Sequence, residues 1–175
     1  MDSSDLLPFL TSRSSVREYH TAPVSDEELG YLLQCASTAP SAGDLEAWDV
    51  VVVTERATRQ ALSTAALGQR HVAAAPLVLV VCANYTRSMT RYGGRGTLYA
   101  VQDATIACTY LMLAAHALGL HTCWTGAFDE DKVRRIVHLP DDVLPIALLP
   151  IGHGNLPVAR TPRMPVENHL HHERW

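Results

Sequence analysis

The sequence has no excess of basic residues: 14 lysines and arginines stand against 18 aspartates and glutamates, for a net charge of −4. A nucleic-acid-binding surface is therefore not indicated. The N-terminus shows no basic region followed by an apolar one, so we expect no signal peptide. The four cysteines have no Cys-x-x-Cys spacing and lie among apolar residues. This pattern favours free thiols in a reducing compartment and therefore a cytoplasmic protein.

The motifs of several common enzyme classes are also missing. There is no G-x-S-x-G, which argues against an α/β-hydrolase. There is neither G-x-G-x-x-G nor a Walker pattern, which argues against a Rossmann dinucleotide site and a P-loop. The glycine-rich RYGGRG lacks the spacing of either motif, and we interpret Tyr85–Gly96 as a polar loop.

The sequence does have 47% hydrophobic and 18% charged residues, which is typical of a globular domain. Its most apolar stretch is Asp103–Leu120. A transmembrane helix needs about 20 predominantly apolar residues, but Asp103 and His116 interrupt this stretch and small residues dominate it. We therefore predict a core or subunit-interface helix over Asp103–Leu118, and no membrane contact.

Caps and periodicity predict further helices. Ser25 is placed to cap a helix in PVSDEELGYLLQCAS, with Glu28 completing a capping box. A first short helix over Asp5–Ser15 is broken by a proline, and a helix in ERATRQALSTAALG stops at Gly68. Asp129 is placed to cap a short helix in DEDKVRRIVHL.

Four apolar runs predict strands: Trp48–Val53, Ala75–Asn84, His121–Thr125 and Leu144–Gly154. Strands separated by helices predict a two-layer or three-layer α/β arrangement on a small sheet, with Trp48–Val53 covered on both faces. The tail from residue 155 onward has no helix pattern. We expect it to pack along another surface, such as a second subunit.

Nine histidines raise the question of a metal site, chiefly in NHLHHERW at the C-terminus. His169 and His171 would share one side of an extended segment, and His172 and Glu173 would add ligands. The cluster lacks a helical H-E-x-x-H frame. We favour a polar tail, with no metal, over a metal centre.

Arg13, Ser15 and Arg17 occupy alternate positions of RSSVR. Alternate side chains of an extended segment point to the same side, so two guanidiniums would flank one hydroxyl. Because arginine binds phosphate through paired hydrogen bonds, the segment predicts an anion-binding clamp. A solvated surface run is the alternative.

The order of these segments resembles the flavin-dependent nitroreductase family over about Ser12–Trp175. The shared pattern is an early R-x-S-x-R, a P-S followed by a tryptophan that leads into a strand, APLVLVVCAN, and an Asp-headed, alanine-rich helix that ends in ALGLHTCWTGAFD. LPIALLPIGHG and PRMPVENHLHHERW complete it. The order and spacing of the motifs, more than any one of them, carry the resemblance.

The resemblance implies a fold and an assembly. The implied fold class is α+β, a three-layer α/β arrangement with a mixed central sheet flanked by helices. The implied assembly is an intertwined homodimer that exchanges C-terminal arms and holds FMN in two clefts between its subunits. Residues 1–175 would form a single FMN-binding domain, with residues 156–175 as the arm and Asp103–Leu118 at the dimer core.

The resemblance also implies the cofactor site. Arg13, Ser15 and Arg17 would contact the FMN phosphate, the ribityl chain and the N1/O2 edge of the ring. Arg163 would complete the phosphate site, with Arg160 as the alternative. The full implied set of cofactor-binding residues is Arg13, Ser14, Ser15, Arg17, Pro40, Ser41, Ala42, Asp44, Trp124, Thr125, Gly126, Ala127, Arg160 and Arg163.

The loop before the first strand departs from the family pattern. Relatives commonly read P-S-x-x-N-x-Q-P-W there, and this chain keeps Pro40, Ser41 and Trp48 but carries Asp44 and Glu46 in place of the two amides. The resemblance implies that this loop contacts the flavin of the other subunit. An ionised Asp44 facing the ring would disfavour anionic reduced flavin; the alternative is that it pairs with a cation or faces solvent.

The implied activity is that of an FMN-dependent oxidoreductase. Hydride would pass from NAD(P)H to flavin N5, and then to a nitroaromatic, quinone or similar small acceptor by a ping-pong mechanism. The cofactor carries this chemistry, so no catalytic acid or base is needed. Arg91, Tyr92 and Arg95 are candidates for substrate contact. The alternatives are a non-catalytic flavin-binding dimer, a metal-binding dimer, another electron donor, or a relative with dehalogenating, azoline-oxidising or flavin-fragmenting chemistry.

Overall fold

The computed structural model describes residues 3–157 and 161–175. The helices are α1 (Ser3–Ser12), α2 (Asp26–Ser37), α3 (Arg56–Ala65), α4 (Arg70–Ala74), α5 (Tyr85–Tyr92), α6 (Gly96–Ala117) and α7 (Glu130–Ile136). The strands are β1 (Trp48–Val53), β2 (Leu77–Asn84), β3 (His121–Thr122) and β4 (Val143–Gly152). Short 3-10 turns cover Ala42–Asp44, Gly93–Arg95 and Val166–His169.

The four strands form one sheet in the order β1-β2-β4-β3, and each neighbouring pair is antiparallel. Parallel pairing in the described chain is limited to one bridge between Ser15 and Thr122. The sheet expected to be mixed is therefore antiparallel in all four strands, and the segment after α1 adds only this isolated parallel bridge at its edge.

Both faces of the central strand β2 are covered, which confirms the three-layer α+β arrangement. Leu79 and Val81 pack into a core with α2 and α6, whereas Val78 and Val80 pack into a second core with α3 and α7. This division follows from the two-residue period of a strand. The edge strand β1 is less covered than expected, because the side chain of Val52 is 42% exposed.

The predicted caps of α2 and α7 are confirmed. The Ser25 hydroxyl accepts a bond from the amide of Glu28 (3.2 Å), and the Glu28 carboxylate accepts one from the amide of Ser25 (2.7 Å). The Asp129 carboxylate accepts a bond from the amide of Lys132 (3.0 Å). The bond from the Ser25 amide lowers the pKa of the Glu28 carboxyl, and bonds from the Lys132 side chain and amide lower that of Asp129, because they stabilise the charged form.

The prediction of a loop over Tyr85–Gly96 is wrong. Helix α5 and a 3-10 turn occupy it, and α6 begins at Gly96, well before Asp103. The side chain of Asn84 caps α5 by accepting a bond from the amide of Arg87 (3.0 Å). A Cβ on Gly96 would lie 2.7 Å from the Met89 backbone, so the glycine permits close packing of the two helices.

Two other boundaries differ from the sequence-based expectation. α1 ends at Ser12 and contains its proline, so the RSSVR segment lies outside the helix and forms a bridge at Ser15. Of the predicted strand His121–Thr125, only His121–Thr122 pairs continuously with β4. Thr125 forms a separate bridge with Leu148, which leaves Cys123 and Trp124 outside the ladder.

The stretch Tyr85–Ala117 is long and apolar enough to cross a membrane by length and composition, with a mean hydropathy of 1.2 over its best window. A core helix passes the same test. Within it, α6 contributes a buried row of small and apolar residues to the main core, including Ala104, Cys108 and Leu111. We therefore interpret α6 as a core helix, as predicted.

Candidate functional site

A cavity lies beside the segment that follows α1. That segment is held to the sheet by the bridge to Thr122, with the Val16 amide donating to the Thr122 carbonyl (3.0 Å). Val16 is buried and points away from solvent. The cavity, about 440 Å³ in volume, is called the cradle here, and it is lined by Leu10, Thr11, Arg13, Ser14, Ser15, Arg17, Thr161 and Arg163.

The cradle is rich in unused hydrogen-bond donors. Nη1 of Arg13 is buried and has no acceptor in the described chain. The ion pairs found among residues 3–157 and 161–175 do not include Arg13, Arg17 or Arg163. A buried donor without a partner is costly, and three guanidiniums at one cavity attract negative charge. The cradle therefore has the chemistry of an anion-binding site.

The TCWTGA stretch runs next to the cradle, because Thr122 pairs with Ser15. The amide and carbonyl of Thr125 exchange hydrogen bonds with those of Leu148, each 3.0 Å long. The Thr125 hydroxyl lies 2.8 Å from Nε2 of His71, and both side chains are buried. Burial, together with the nearby Arg17, lowers the pKa of His71. The neutral imidazole of His71 therefore holds the Thr125 side chain, and with it this stretch, in place.

Gly126 and Ala127 follow as an exposed turn. Neither amide donates a hydrogen bond within the described residues, whereas the Ala127 carbonyl accepts one from Nε2 of Gln69 (2.9 Å). A Cβ on Gly126 would lie 3.1 Å from Nε1 of Trp124. Trp124 is half-buried and packs against the main core. Two amides without an acceptor among the described residues therefore lie in an exposed segment directly after Thr125.

The loop Ala39–Ala47, called the opening loop here, is anchored to α6. The amide of Ala42 donates to Oδ1 of Asp103 (2.9 Å), and the amide of Ala47 donates to Oδ2 (3.2 Å). The Asp103 side chain is only 2% exposed. The Ser41 hydroxyl closes the loop internally by accepting a bond from the Glu46 amide (3.0 Å).

Helix α5 supplies two further anchors for the opening loop. Arg87 donates to the carbonyls of Glu46 and Trp48 and pairs with Asp49 at 2.8 Å. Arg91 donates to the carbonyl of Gly43 at 3.1 Å. The backbone is held in the left-handed region at three positions, with φ of 60° at Gly43, 56° at Asp44 and 46° at Glu46.

The structure does not bring the opening loop to the cradle of the same chain. Pro40, Asp44 and Glu46 are exposed, and Asp44 forms no ion pair within the described part of the molecule. The hydrogen bonds that leave the loop go to α2, α5, α6, the start of β1 and the end of β2, and none goes to a residue that lines the cradle within the described chain. A single protomer therefore separates the predicted site into two regions.

Of the two arginines predicted to complete the phosphate site, the structure describes one. Arg163 lies at the cradle, whereas Arg160 falls outside the described residues. His171 stacks on the ring of Trp175 at 4.1 Å. No group of three or more His, Cys, Asp or Glu side chains within residues 3–157 and 161–175 is arranged to hold a metal ion.

Three residues that shape the site were not predicted from the sequence: Asp103 as an anchor, His71 and Arg87. An acid isolated in an apolar helix was an available signal for Asp103, since a buried carboxylate needs donors. His71 and Arg87 carried no such signal, because their partners are distant in sequence.

The fold and site together define the class of the protein: an α+β domain with an arginine-lined anion cavity. A family model described as "Nitroreductase family" matches residues 10–70 and 64–153. An NADH dehydrogenase of Thermus thermophilus is 31% identical over 183 residues, covering 89% of each chain. The chain therefore belongs to the nitroreductase family.

Two further relatives support this assignment. The FMN reductase [NAD(P)H] of Bacillus subtilis is 28% identical over 186 residues, covering 98% of this chain and 75% of the relative. The solved structure of B. megaterium NfrA2 superimposes with a TM-score of 0.91 at 27% identity, covering all of this chain and 76% of that one.

Proposed function

We propose that this protein is an FMN-dependent oxidoreductase that takes electrons from NAD(P)H and passes them to a nitroaromatic, quinone or similar small acceptor. The observation that carries the proposal is the cradle, in which, among residues 3–157 and 161–175, a buried nitrogen of Arg13 has no acceptor and Arg17 and Arg163 form no ion pair. In a chain of this family, the phosphate of FMN is the anion that fits. The relative named FMN reductase [NAD(P)H] supports the same cofactor and donor.

The residues present fit FMN in two parts. Arg13, Arg17 and Arg163, with the hydroxyls of Ser14 and Ser15, would hold the phosphate and ribityl groups. The free amides at the TCWTGA turn would face the ring, with Trp124 and Thr125 forming its wall and Gly126 and Ala127 donating. Arg160 is the second candidate for the arm's arginine, and Pro40, Ser41, Ala42 and Asp44 would reach the ring from the partner subunit.

When bound, FMN accepts two electrons and a proton from NAD(P)H as a hydride, and passes them to the acceptor in a separate half-reaction. The chain contributes binding and electrostatics. The free amides of Gly126 and Ala127 and an arginine of the cradle would stabilise negative charge on the bound ring. His71 holds the Thr125 side chain in place. No side chain of the protein is required as an acid or base.

The cofactor site requires a second copy of the chain, because the opening loop does not reach its own cradle. The exposed apolar residues support a homodimer with arm exchange. In the arm, they are Leu156, Met164, Val166, Leu170 and Trp175. Leu6, Leu7 and Leu10 of α1 are exposed in the same way. We place FMN between the subunits, within a single domain spanning residues 1–175 whose arm is residues 156–175.

Four free cysteines suit a reducing compartment, and we place the protein in the cytoplasm. They are Cys35, Cys82, Cys108 and Cys123. Burial raises the pKa of Cys82 to about 12, so this thiol stays protonated and unreactive at neutral pH.

The test combines a spectrum with a turnover assay. The purified protein is expected to bind FMN, to lose its yellow colour with NADH or NADPH under anaerobic conditions, and to recover it with a nitroarene or quinone. Yellow protein that neither nicotinamide bleaches would instead indicate a non-catalytic flavin-binding dimer. Protein that fails to bind FMN and retains zinc would overturn the proposal in favour of a metal-binding dimer.

A further inference from the structure

Four side chains at the junction of α5 and α6 form a compact group, called the Arg-Tyr cluster here: Arg91, Tyr92, Arg95 and Tyr99. The two tyrosine rings meet edge to face with centroids 4.9 Å apart. The guanidinium of Arg91 lies 5.6 Å from the ring centroid of Tyr92, and that of Arg95 lies 5.3 Å from the ring centroid of Tyr99. Nε of Arg95 also donates to the Tyr99 hydroxyl at 2.8 Å. Both cations are therefore pre-oriented by aromatic rings.

The two guanidiniums of the cluster are not neutralised. The ion pairs found in the described residues involve Arg87, Lys132 and Arg134, and leave Arg91 and Arg95 without a carboxylate partner. Arg91 uses Nη1 to reach the Gly43 carbonyl, and Arg95 uses Nε, so each retains free N–H groups. In a protein with a net charge of −4, such a local pair of exposed cations favours an anionic ligand.

The cluster is attached to the opening loop. Arg91 donates to the carbonyl of Gly43, and the Tyr92 hydroxyl fills the space that a Cβ on Gly43 would need. Gly43 has a φ of 60°, so a glycine satisfies both the backbone and this contact. Asp44 and Glu46 on the same loop are exposed and pair with neither arginine. Under the proposed function, this loop borders the flavin of the partner subunit.

We propose that the Arg-Tyr cluster binds the anionic group of an aromatic electron acceptor, namely a nitroarene or quinone that carries a carboxylate or sulfonate. This inference rests on the proposed function, since it places the cluster beside the flavin. A guanidinium binds such groups through two parallel hydrogen bonds. The tyrosine rings offer apolar surface to the ring of the acceptor. The rings already order the arginines, so less conformational entropy is lost on binding.

The experiment compares three acceptors of similar size and different charge: 4-nitrobenzoate, nitrobenzene and 4-nitrobenzyltrimethylammonium. We expect kcat/KM for 4-nitrobenzoate to fall about tenfold in the Arg91→Gln/Arg95→Gln double variant, as two exposed ion pairs are lost. In the Arg95→Gln single variant, which leaves the Arg91 anchor of the opening loop intact, nitrobenzene should be unaffected and the cationic acceptor should improve. The preference of the wild type for 4-nitrobenzoate should weaken as salt is added.

Arg135→Gln/Arg56→Gln is the matched control. Both residues are exposed and neither forms an ion pair within the described chain, so net charge changes equally without touching the cluster. An equal loss in this control would assign the effect to overall charge and overturn the inference. An equal loss for all three acceptors, or no loss for 4-nitrobenzoate, would overturn it as well.

The NAD(P)H half-reaction is measured separately by anaerobic flavin bleaching. Unchanged bleaching rates are expected in the Arg95→Gln single variant, which keeps the Arg91 bond to the Gly43 carbonyl, since the cluster serves the acceptor. A selective loss with NADPH would show that the phosphate of the donor occupies the cluster, which contradicts the inference. Failure of the wild type to bind FMN or to be bleached would overturn the proposed function itself.

Discussion

The cradle and the opening loop differ in whether their polar groups have hydrogen-bond partners among the described residues. The loop's backbone is satisfied from within the chain, by Asp103 for two amides and by Arg87 and Arg91 for its carbonyls. The cradle leaves a buried nitrogen of Arg13 without an acceptor. Since native proteins pair nearly all buried polar groups, the cradle is the region that the proposed function assigns to a ligand. Under the same proposal, the opening loop is a rigid surface that faces a partner subunit.

Arg13→Gln should have the largest effect, because it removes a half-buried charge from the cradle. We expect FMN to bind about 30-fold more weakly or worse, since truncating one partner of a buried ion pair costs roughly 2–5 kcal/mol. FMN fluorescence quenching measures the dissociation constant, and Arg135→Gln is the charge-matched control.

The same substitution should not destabilise the protein without FMN. Arg13 has an unsatisfied nitrogen there and lies in a cavity with two other arginines. Thermal unfolding of the apoprotein should therefore give an unchanged or higher Tm. A lower Tm without FMN would show that Arg13 supports the fold, and would remove the contrast between the two regions.

Asp103→Asn should instead weaken the hydrogen bonds that attach the opening loop to α6. An asparagine keeps one acceptor for the amides of Ala42 and Ala47 and turns a donor toward the other. Hydrogen bonds to charged groups contribute about 1.5–3 kcal/mol, so we expect the free energy of unfolding in urea to fall by about that amount.

Asp141→Asn is the matched control for this change. Its carboxylate is fully exposed and lies 3.9 Å from Arg134, so the control should alter stability by less than about 0.5 kcal/mol. Equal stability of Asp103→Asn and wild type would mean that the loop is not held through this carboxylate.

Lowering the pH should reduce the stability of the folded protein through three histidines. Burial lowers the pKa of His71, His116 and His121 below the ordinary value of 6.5. The unfolded chain then binds protons that the folded chain does not, so stability is complete above about pH 6.5 and is lost as pH falls through the folded pKa values.

Thermal unfolding between pH 7.5 and 5 measures this dependence. His71→Gln retains a group able to bond with Thr125 and removes one titrating site, so its Tm should fall less steeply with acid. An unchanged slope would show that His71 does not titrate in this range.

Asp44→Asn should have the smallest effect. Asp44 is exposed, so water screens its charge even if it lies beside the partner's flavin. We expect the two-electron reduction potential of the bound flavin to be higher in the variant than in the wild type, by less than about 30 mV. An interaction of about 1 kcal/mol between Asp44 and the ring would give a shift within this limit. A redox titration with equal or reversed potentials would show that Asp44 turns away from the ring.

Sequence reasoning predicted hydrogen bonds between residues that are close in the chain and missed those between residues that are distant in it. The caps at Ser25 and Asp129 were predicted because each cap and its amide partner are three residues apart. The helix α5 was missed because its cap, Asn84, also ends a strand. The role of Asp103 was missed because its two amide partners lie 61 and 56 residues away.

The sequence alone determined the layered α+β fold and the family, and it predicted the arginine clamp. These follow from local periodicity, caps and the order of motifs along the chain. Only the tertiary structure brought Arg163 to the clamp, set His71 under Thr125 and joined the opening loop to α6. It also kept that loop away from its own cradle, because contacts between distant segments depend on how the helices pack on the sheet. The physical reason is that side-chain pairing across long loops is fixed by packing, which no local pattern records.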